Sequence, residues 1–333
     1  MKETMKVLFV GGTGIISSAC SRLALESGIE LHLLCRGQSV RAVPPGAKVH
    51  LADIEDARAV QESLGSLEFD AVVNWIVFHP TQIERDLELF RGRTGQYVFI
   101  SSASAYAKPV VRVPITESTP LCNPFWQYSR DKIACEDRLL RAFREESFPI
   151  TIVRPSHTYD ETLLPFDPYG GGYTVLDRML RGKPVVVHGD GTSLWVLTHH
   201  KDFARGFVPL LGHPAAVGEA FHITSDEALP WNEVFRAVAH AAGVRRPQLV
   251  HVPSEIIARE HPEWGAGLLG DKAHSVVFDN SKVKRLVPDF RATIPFHEGA
   301  REIVSYHLRH PERCSVNASV NDLMDRLVDR FAG

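Results

Sequence analysis

A tyrosine and a lysine four residues apart are the side chains of this chain best suited to move a proton. They are Tyr128 and Lys132, in the run Gln127-Tyr128-Ser129-Arg130-Asp131-Lys132. On a helix they share one face, one turn apart. There an ammonium favours the phenolate and draws down a phenol pKa that starts near ~10. A tyrosine tuned that way takes a proton from an alcohol while a hydride leaves the same carbon. The hydride needs an acceptor, and the upstream turn Gly11-Gly12-Thr13-Gly14 offers a place for one.

The elements around that turn support the reading. Residues 6–10 (Lys-Val-Leu-Phe-Val) are a short apolar run, hence a buried strand. The glycine turn follows, and residues 18–25 have a helical pattern. Strand, glycine turn and helix form the context that a dinucleotide fingerprint requires. Gly11 permits the tight turn. Gly14 lets backbone approach a pyrophosphate at a helix N-terminus, where free N–H groups favour anions. Ser17 stands where a third glycine is usual, and a small residue there still allows close helix–strand packing.

With these motifs the chain resembles the extended short-chain dehydrogenase/reductases, the NAD-dependent epimerase/dehydratase family, over roughly residues 6 to 310. Further landmarks follow in order: Leu51-Ala52-Asp53-Ile54, the strand 96–100 leading into Ser101-Ser102-Ala103-Ser104-Ala105-Tyr106, then Val153-Arg154-Pro155, Gly189-Asp190-Gly191, His199-His200-Lys201-Asp202 and Asp279-Asn280-Ser281-Lys282. The resemblance implies Tyr128 as general base, Lys132 as its electrostatic partner and ribose ligand, and Ser102 as the hydroxyl that orients the substrate oxygen. The family's serine lies four residues before a tyrosine, which selects Ser102 over Ser101 and Ser104. It also implies Gly11, Thr13, Gly14, Ile15, Ile16, Arg36, Asp53, Ile54, Trp75, Lys132 and Pro155 as cofactor contacts. Substrate contacts are expected from Ser104, Asn123, Trp126, His157, Tyr159 and Trp195, with Phe125 beside them.

The fold expected is α/β: a Rossmann-type doubly wound parallel sheet with a smaller, discontinuous α/β substrate domain. Strands are read at 7–10, 30–34, 48–51, 71–75, 96–100 and 150–153, with helices at 80–90 and 129–143. Segment 160–173, rich in Pro, Gly and Asp, reads as a mobile loop before a short helix at 175–180. Small strands at 185–188 and 250–252, a helix at 198–211 and a strand at 220–224 complete the pattern. The dinucleotide domain is assigned to 1–156 and 196–226, and the substrate domain to 157–195 and 227–333. A final helix at 320–331 carries one apolar stripe, suited to packing on its own chain or to a homodimer contact.

The second strand ends in Leu34-Cys35-Arg36. NAD-preferring relatives commonly place an acid where Cys35 stands. Arg36 suits a 2′-phosphate or a stacked adenine, which turns the choice towards NADP, with NAD as the alternative. The family's dehydratases carry an Asp-Glu pair after the catalytic hydroxyl residue; Ala103-Ser104 occupy that place, so elimination is disfavoured. Trp195 stands where UDP-sugar epimerases use an arginine. Leu268-Leu269-Gly270-Asp271-Lys272 replaces another arginine-bearing segment, with Lys272 or Arg178 as substitutes. Loss of both arginines removes a bidentate grip on a diphosphate. The expectation is an epimerase acting on a sugar-like alcohol or polyol through a transient ketone, with a ketone reductase as the alternative. Segment 97–106 also resembles chloroplast stem-loop RNA-binding relatives on this fold, the reading from another class.

Over 333 residues, 44% apolar content and 23% charge fit a soluble globular protein, and a net charge of −3 gives no basic field for nucleic acid. No apolar run reaches the length of a signal h-region or membrane span. The five cysteines are scattered, and His79, His157, His199 and His200 have no chelating spacing. Reduced thiols, no metal, no membrane partner and a cytoplasmic location are expected.

Overall fold

Along the first strand Val7 and Phe9 face one apolar cluster and Leu8 and Val10 another, the pattern of a strand covered on both sides. The computed structural model describes residues 4–166 and 172–331. In it this strand, β1 (Lys6–Val10), is central to a seven-stranded parallel sheet. The other strands are β2 (Glu30–Cys35), β3 (Lys48–Leu51), β4 (Ala71–Asn74), β5 (Tyr97–Ile100), β6 (Ile150–Pro155) and β7 (Ala220–Ile223). Their order is β7-β6-β5-β4-β1-β2-β3, with parallel pairing throughout. Helices α1 (Ile15–Glu26), α2 (Ala57–Leu64), α3 (Pro80–Phe90) and α4 (Gln127–Glu146) cross between strands. This is a Rossmann-type doubly wound fold. The winding of strands changes side between β1 and β4, so a crevice opens above their carboxyl ends.

A third cluster lies beyond that edge. There strand Val185–His188 pairs in parallel with strand Leu249–Val252, and helices Trp231–Ala241 and Phe296–Arg309 pack beside them. The final helix, Ala318–Phe331, buries Val320, Leu323, Met324, Leu327 and Val328 in this cluster. Its apolar stripe is therefore used within the chain. Among the described residues no helix is long and apolar enough to cross a membrane.

The helix expected at 198–211 is divided. Leu197–His199 is a short strand paired with His157–Tyr159, and the helix proper runs His200–Phe207 before a 3₁₀ turn at Val208–Leu210. Pro209 has no N–H with which to continue the helical ladder. Helix α4 begins two residues earlier than expected, which places Tyr128 in its first turn. Of the loop expected at 160–173, residues 167–171 lie outside the described residues. Its start is anchored: Asp160 is fully buried and bonded to Arg41 and Thr162. A helix begins at Gly172.

Candidate active site

Strand β5 ends at Ile100, and the next residues divide their work. Ser101 donates to buried Glu136, while Ser102 faces a cleft with Tyr128. Ser104 and Ser129 hold Ser102 from behind: the Ser102 and Ser104 hydroxyls are 2.9 Å apart, and Ser129 donates to Ser104 at 2.7 Å. Tyr128 lines the cleft beside the Ser102 hydroxyl. Below this row Glu136, one turn after Lys132, forms a buried two-pronged ion pair with Arg154 at the end of β6. Arg154 also reaches the hydroxyl of buried Tyr106 at 3.2 Å. The floor of the cleft is thus fixed by charge-assisted bonds among β5, α4 and β6.

Lys132 is almost fully buried, and its ammonium donates to the carbonyls of Val77 at 2.5 Å and Ile100 at 2.8 Å. Phe78 and Phe99 rings flank it, at 4.7 and 5.0 Å. Burial pulls its pKa down to about 8. The expectation that Lys132 draws down the Tyr128 pKa is not met. Burial, with Asp271 nearby, pushes the phenol up to about 12, against the Ser102 hydroxyl, which draws it down. The ammonium is committed to backbone carbonyls and stands 5.7 Å from the Tyr128 ring centre.

The cleft above Ser102 and Tyr128 has a volume of about 200 Å³. Its walls include Trp126, Pro155, His157, Trp195 and Phe278. Trp126 packs on Tyr128 with ring centres 4.8 Å apart. Trp195 stacks on Trp231 at 5.3 Å, and its indole N–H donates to His157 Nδ1 at 3.2 Å. Burial, and then the charge of Lys272, push His157 down to about 3, so its ring is neutral.

Two lining residues, Asp271 and Lys272, come from a π-helical turn, Leu268–Lys272. Such turns recur at functional sites. Asn123 fastens this one: its amide donates to the carbonyls of Gly270 at 2.7 Å and Ser104 at 2.9 Å. Its oxygen accepts from the backbone N–H groups of Phe125 and Trp126. Asn123 is therefore a clamp behind the cleft wall, with its polar atoms already engaged. Lys108, with its side chain fully buried, pairs with Asp271 at 3.5 Å. Sequence reasoning missed Lys108 and the acid at Asp271; the only signal was the divergent segment 268–272.

The turn after β1 suits a dinucleotide. Gly11 and Gly12 have φ of +94° and +111°, a region that side chains avoid. A Cβ on Gly12 would meet the Leu33 side chain at 2.7 Å. Gly14 caps α1, leaving the first-turn N–H groups of Ile15 and Ile16 directed at the crevice. His200 donates from Nδ1 to the Ile15 carbonyl at 3.2 Å and ties this turn to the helix His200–Phe207. Trp75 lies directly beneath Gly11, packed on Phe9 and Phe207. Arg36 and Asp53 face each other across the ends of β2 and β3, 3.8 Å apart and both exposed. Ile54 is buried in the sheet's core.

Three expected contacts lie elsewhere. Tyr159 is fully buried, and its hydroxyl abuts Gly299 of the helix Phe296–Arg309, away from the cleft. Arg178 is buried against the final helix, bonded to Asn321 and Asp325. Phe125 is exposed, packing on His274.

The model of the NAD dependent epimerase/dehydratase family matches residues 7–224. A 2'-dehydrokanamycin reductase of Streptomyces kanamyceticus is 27% identical over 291 residues, 87% of this chain and 81% of that protein. A chloroplast stem-loop binding protein of 41 kDa from Arabidopsis thaliana is 29% identical over 74% of this chain and 65% of its own length. The structure of an epimerase from Methanothermobacter thermautotrophicus aligns with a TM-score of 0.75 at 17% identity, covering 93% of this chain and 94% of that one.

Proposed function

Because the chain belongs to the NAD dependent epimerase/dehydratase family, we propose that it is a reductase of small ring ketones, transferring hydride to a sugar-like or polyol substrate. The observation that carries this reading is the size of the cleft. About 200 Å³ between Trp126 and Trp195 is less than the roughly 300–1,000 Å³ of typical ligand pockets. It suits a single ring better than a sugar joined to a nucleotide diphosphate.

A nicotinamide cofactor, when bound, would supply the hydride; the chain's own groups handle the proton and the orientation. Ser102 and Tyr128 present two hydroxyls to one ketone oxygen. Tyr128 donates its proton as negative charge develops there. Held up at about 12, the phenol keeps that proton at neutral pH, the form a reductase needs. Ser104 and Ser129 fix the Ser102 rotamer. Lys132 would hold the ribose hydroxyls of the cofactor; its ammonium is anchored by the carbonyls of Val77 and Ile100.

This reading puts the reductase alternative ahead of the epimerase expectation. An epimerase must offer both faces of its ketone to the same hydride, and a ring walled by two indoles has little room to turn over. A named reductase among the relatives that span most of the chain supports the same direction. The test is loss of NADPH absorbance with a panel of keto-sugars, beside NMR of UDP-sugars for inversion. Stoichiometric NADPH consumption supports a reductase. Inversion of a UDP-sugar without added reductant would overturn it.

A further inference from the structure

Four groups in the cleft could carry charge: Tyr128, His157, Asp271 and Lys272. Asp271 is committed to Lys108, whose ammonium is fully buried and would be left uncompensated without it. Tyr128 bears its proton, and the His157 ring is neutral. Lys272 is different. Its ammonium lies between the rings of Trp126 and Trp195, 5.5 and 5.9 Å from their centres. Among the described residues it has neither a hydrogen-bond acceptor nor a carboxylate partner. The indole faces stabilise the cation without neutralising it. The cleft therefore holds one uncompensated positive charge, partly shielded from solvent by the flanking rings, which strengthens any pairing.

His157 adds a neutral donor to the same cleft. Its Nδ1 accepts from Trp195, so the ring proton sits on Nε2. No described residue bonds to that nitrogen.

We infer that the substrate carries a single anionic group, a carboxylate or a phosphate monoester, which pairs with Lys272 and accepts from His157. The inference rests on the reading of this cleft as the substrate site. The arrangement has one point charge and one neutral donor in place of a paired-arginine fork, which suits one anionic group on a small ring.

Binding of four probes to the NADP-loaded protein tests this. The probes are glucuronate, glucose 6-phosphate, glucose and glucosamine, followed by tryptophan fluorescence because Trp126 and Trp195 flank the ammonium. At least one anion should bind about tenfold more tightly than glucose, as a charge-assisted contact implies. Which anion wins distinguishes a carboxylate from a phosphate. Lys272→Gln should abolish the preference, Lys272→Arg should retain most of it, and Lys272→Glu should shift it to glucosamine. A melting temperature near wild type guards against misfolding. Equal binding of glucose and both anions, no binding of either anion, or an anion preference that survives Lys272→Gln would overturn the inference. Hydride transfer is read separately. A Lys272-dependent anion preference without NADPH oxidation by any ketone would count against the reductase alone. Efficient reduction of neutral ketones, unaffected by Lys272→Gln, would count against the anion alone.

Discussion

The side-chain amide of Asn123 donates to the carbonyl of Gly270 at 2.7 Å and so fastens the approach to Tyr128 to the turn that carries Asp271 and Lys272. Asn123 is buried, and each of its polar atoms is used. Asn123→Ala should leave several buried backbone groups unpaired, at a cost of about 1–3 kcal/mol. Because the freed turn carries Lys272, KM should rise more than kcat falls. Thermal melts and steady-state kinetics check this. Gly270→Ala should act similarly, since a Cβ there would stand 2.6 Å from the Trp126 Cβ.

Tyr128→Phe should keep the fold and cofactor affinity but lower turnover on the order of 10²–10⁴-fold, the usual worth of a positioned proton donor. Ser102→Ala should have a smaller effect, since it orients the oxygen without supplying the proton. Turnover of Tyr128→Phe within threefold of wild type would remove the tyrosine from the mechanism.

The pH profile should be set by Lys132. Burial lowers its pKa from an ordinary 10.5 to about 8, so the ammonium is present at neutral pH and lost as pH rises past about 8. Cofactor affinity and kcat/KM should fall over that limb. Folding stability should move the other way through this residue. Between about 8 and 10.5 the unfolded chain holds more protons on it, so stability rises with pH. His157, near 3 in the folded protein, should produce no step around pH 6.5. Imidazole NMR shifts that titrate near 6.5 at this residue would contradict the assignment.

The floor of the site was readable in part. Short continuous apolar runs disclosed β1, β2 and β4 to β6, and the Tyr128/Lys132 spacing pointed to the helix that borders the cleft, because helix geometry is local. Ser102 followed from the strand that precedes it. What escaped was set by tertiary packing. Lys108 and Asp271 are far apart in sequence, and no local pattern announces that a buried lysine pairs with a distant acid. His157 and Tyr159 share one short strand, yet only His157 lines the cleft, because the helix Phe296–Arg309 brings Gly299 over the Tyr159 hydroxyl. Arg178 looked available for a ligand until the final helix supplied Asn321 and Asp325.

Glu136 and Arg154 form the strongest polar joint beneath the site, with Ser101 and Tyr106 as further partners. Both charged groups are buried. Glu136→Ala should leave the guanidinium uncompensated and cost about 3–5 kcal/mol. Arg154→Met with Glu136→Leu should recover much of that loss, because an apolar pair of similar volume needs no neutralisation. Chemical denaturation of the single and double variants separates the two outcomes. Equal destabilisation in both would mean that specific packing, not charge burial, governs this joint.

Cofactor choice should turn on Arg36 and Asp53. Their charged groups stand 3.8 Å apart, with side chains 64% and 46% exposed. An exposed pair at that distance contributes little. A 2′-phosphate carries more charge than a carboxylate and has more acceptor oxygens, so it should displace Asp53 from the guanidinium. NADP is therefore expected to bind at least as tightly as NAD. Arg36→Ala should weaken NADP roughly tenfold while leaving NAD within about twofold, since only the phosphate contact is lost. Asp53→Asn should sharpen the NADP preference by removing the competing carboxylate. It should also weaken NAD if that acid holds the adenosine. Calorimetry on cofactor-free protein measures all of these affinities, and added salt should narrow the NADP advantage because the contact is exposed. A strong preference for NAD in the wild type that persists in Arg36→Ala would show that Arg36 does not read the 2′-phosphate.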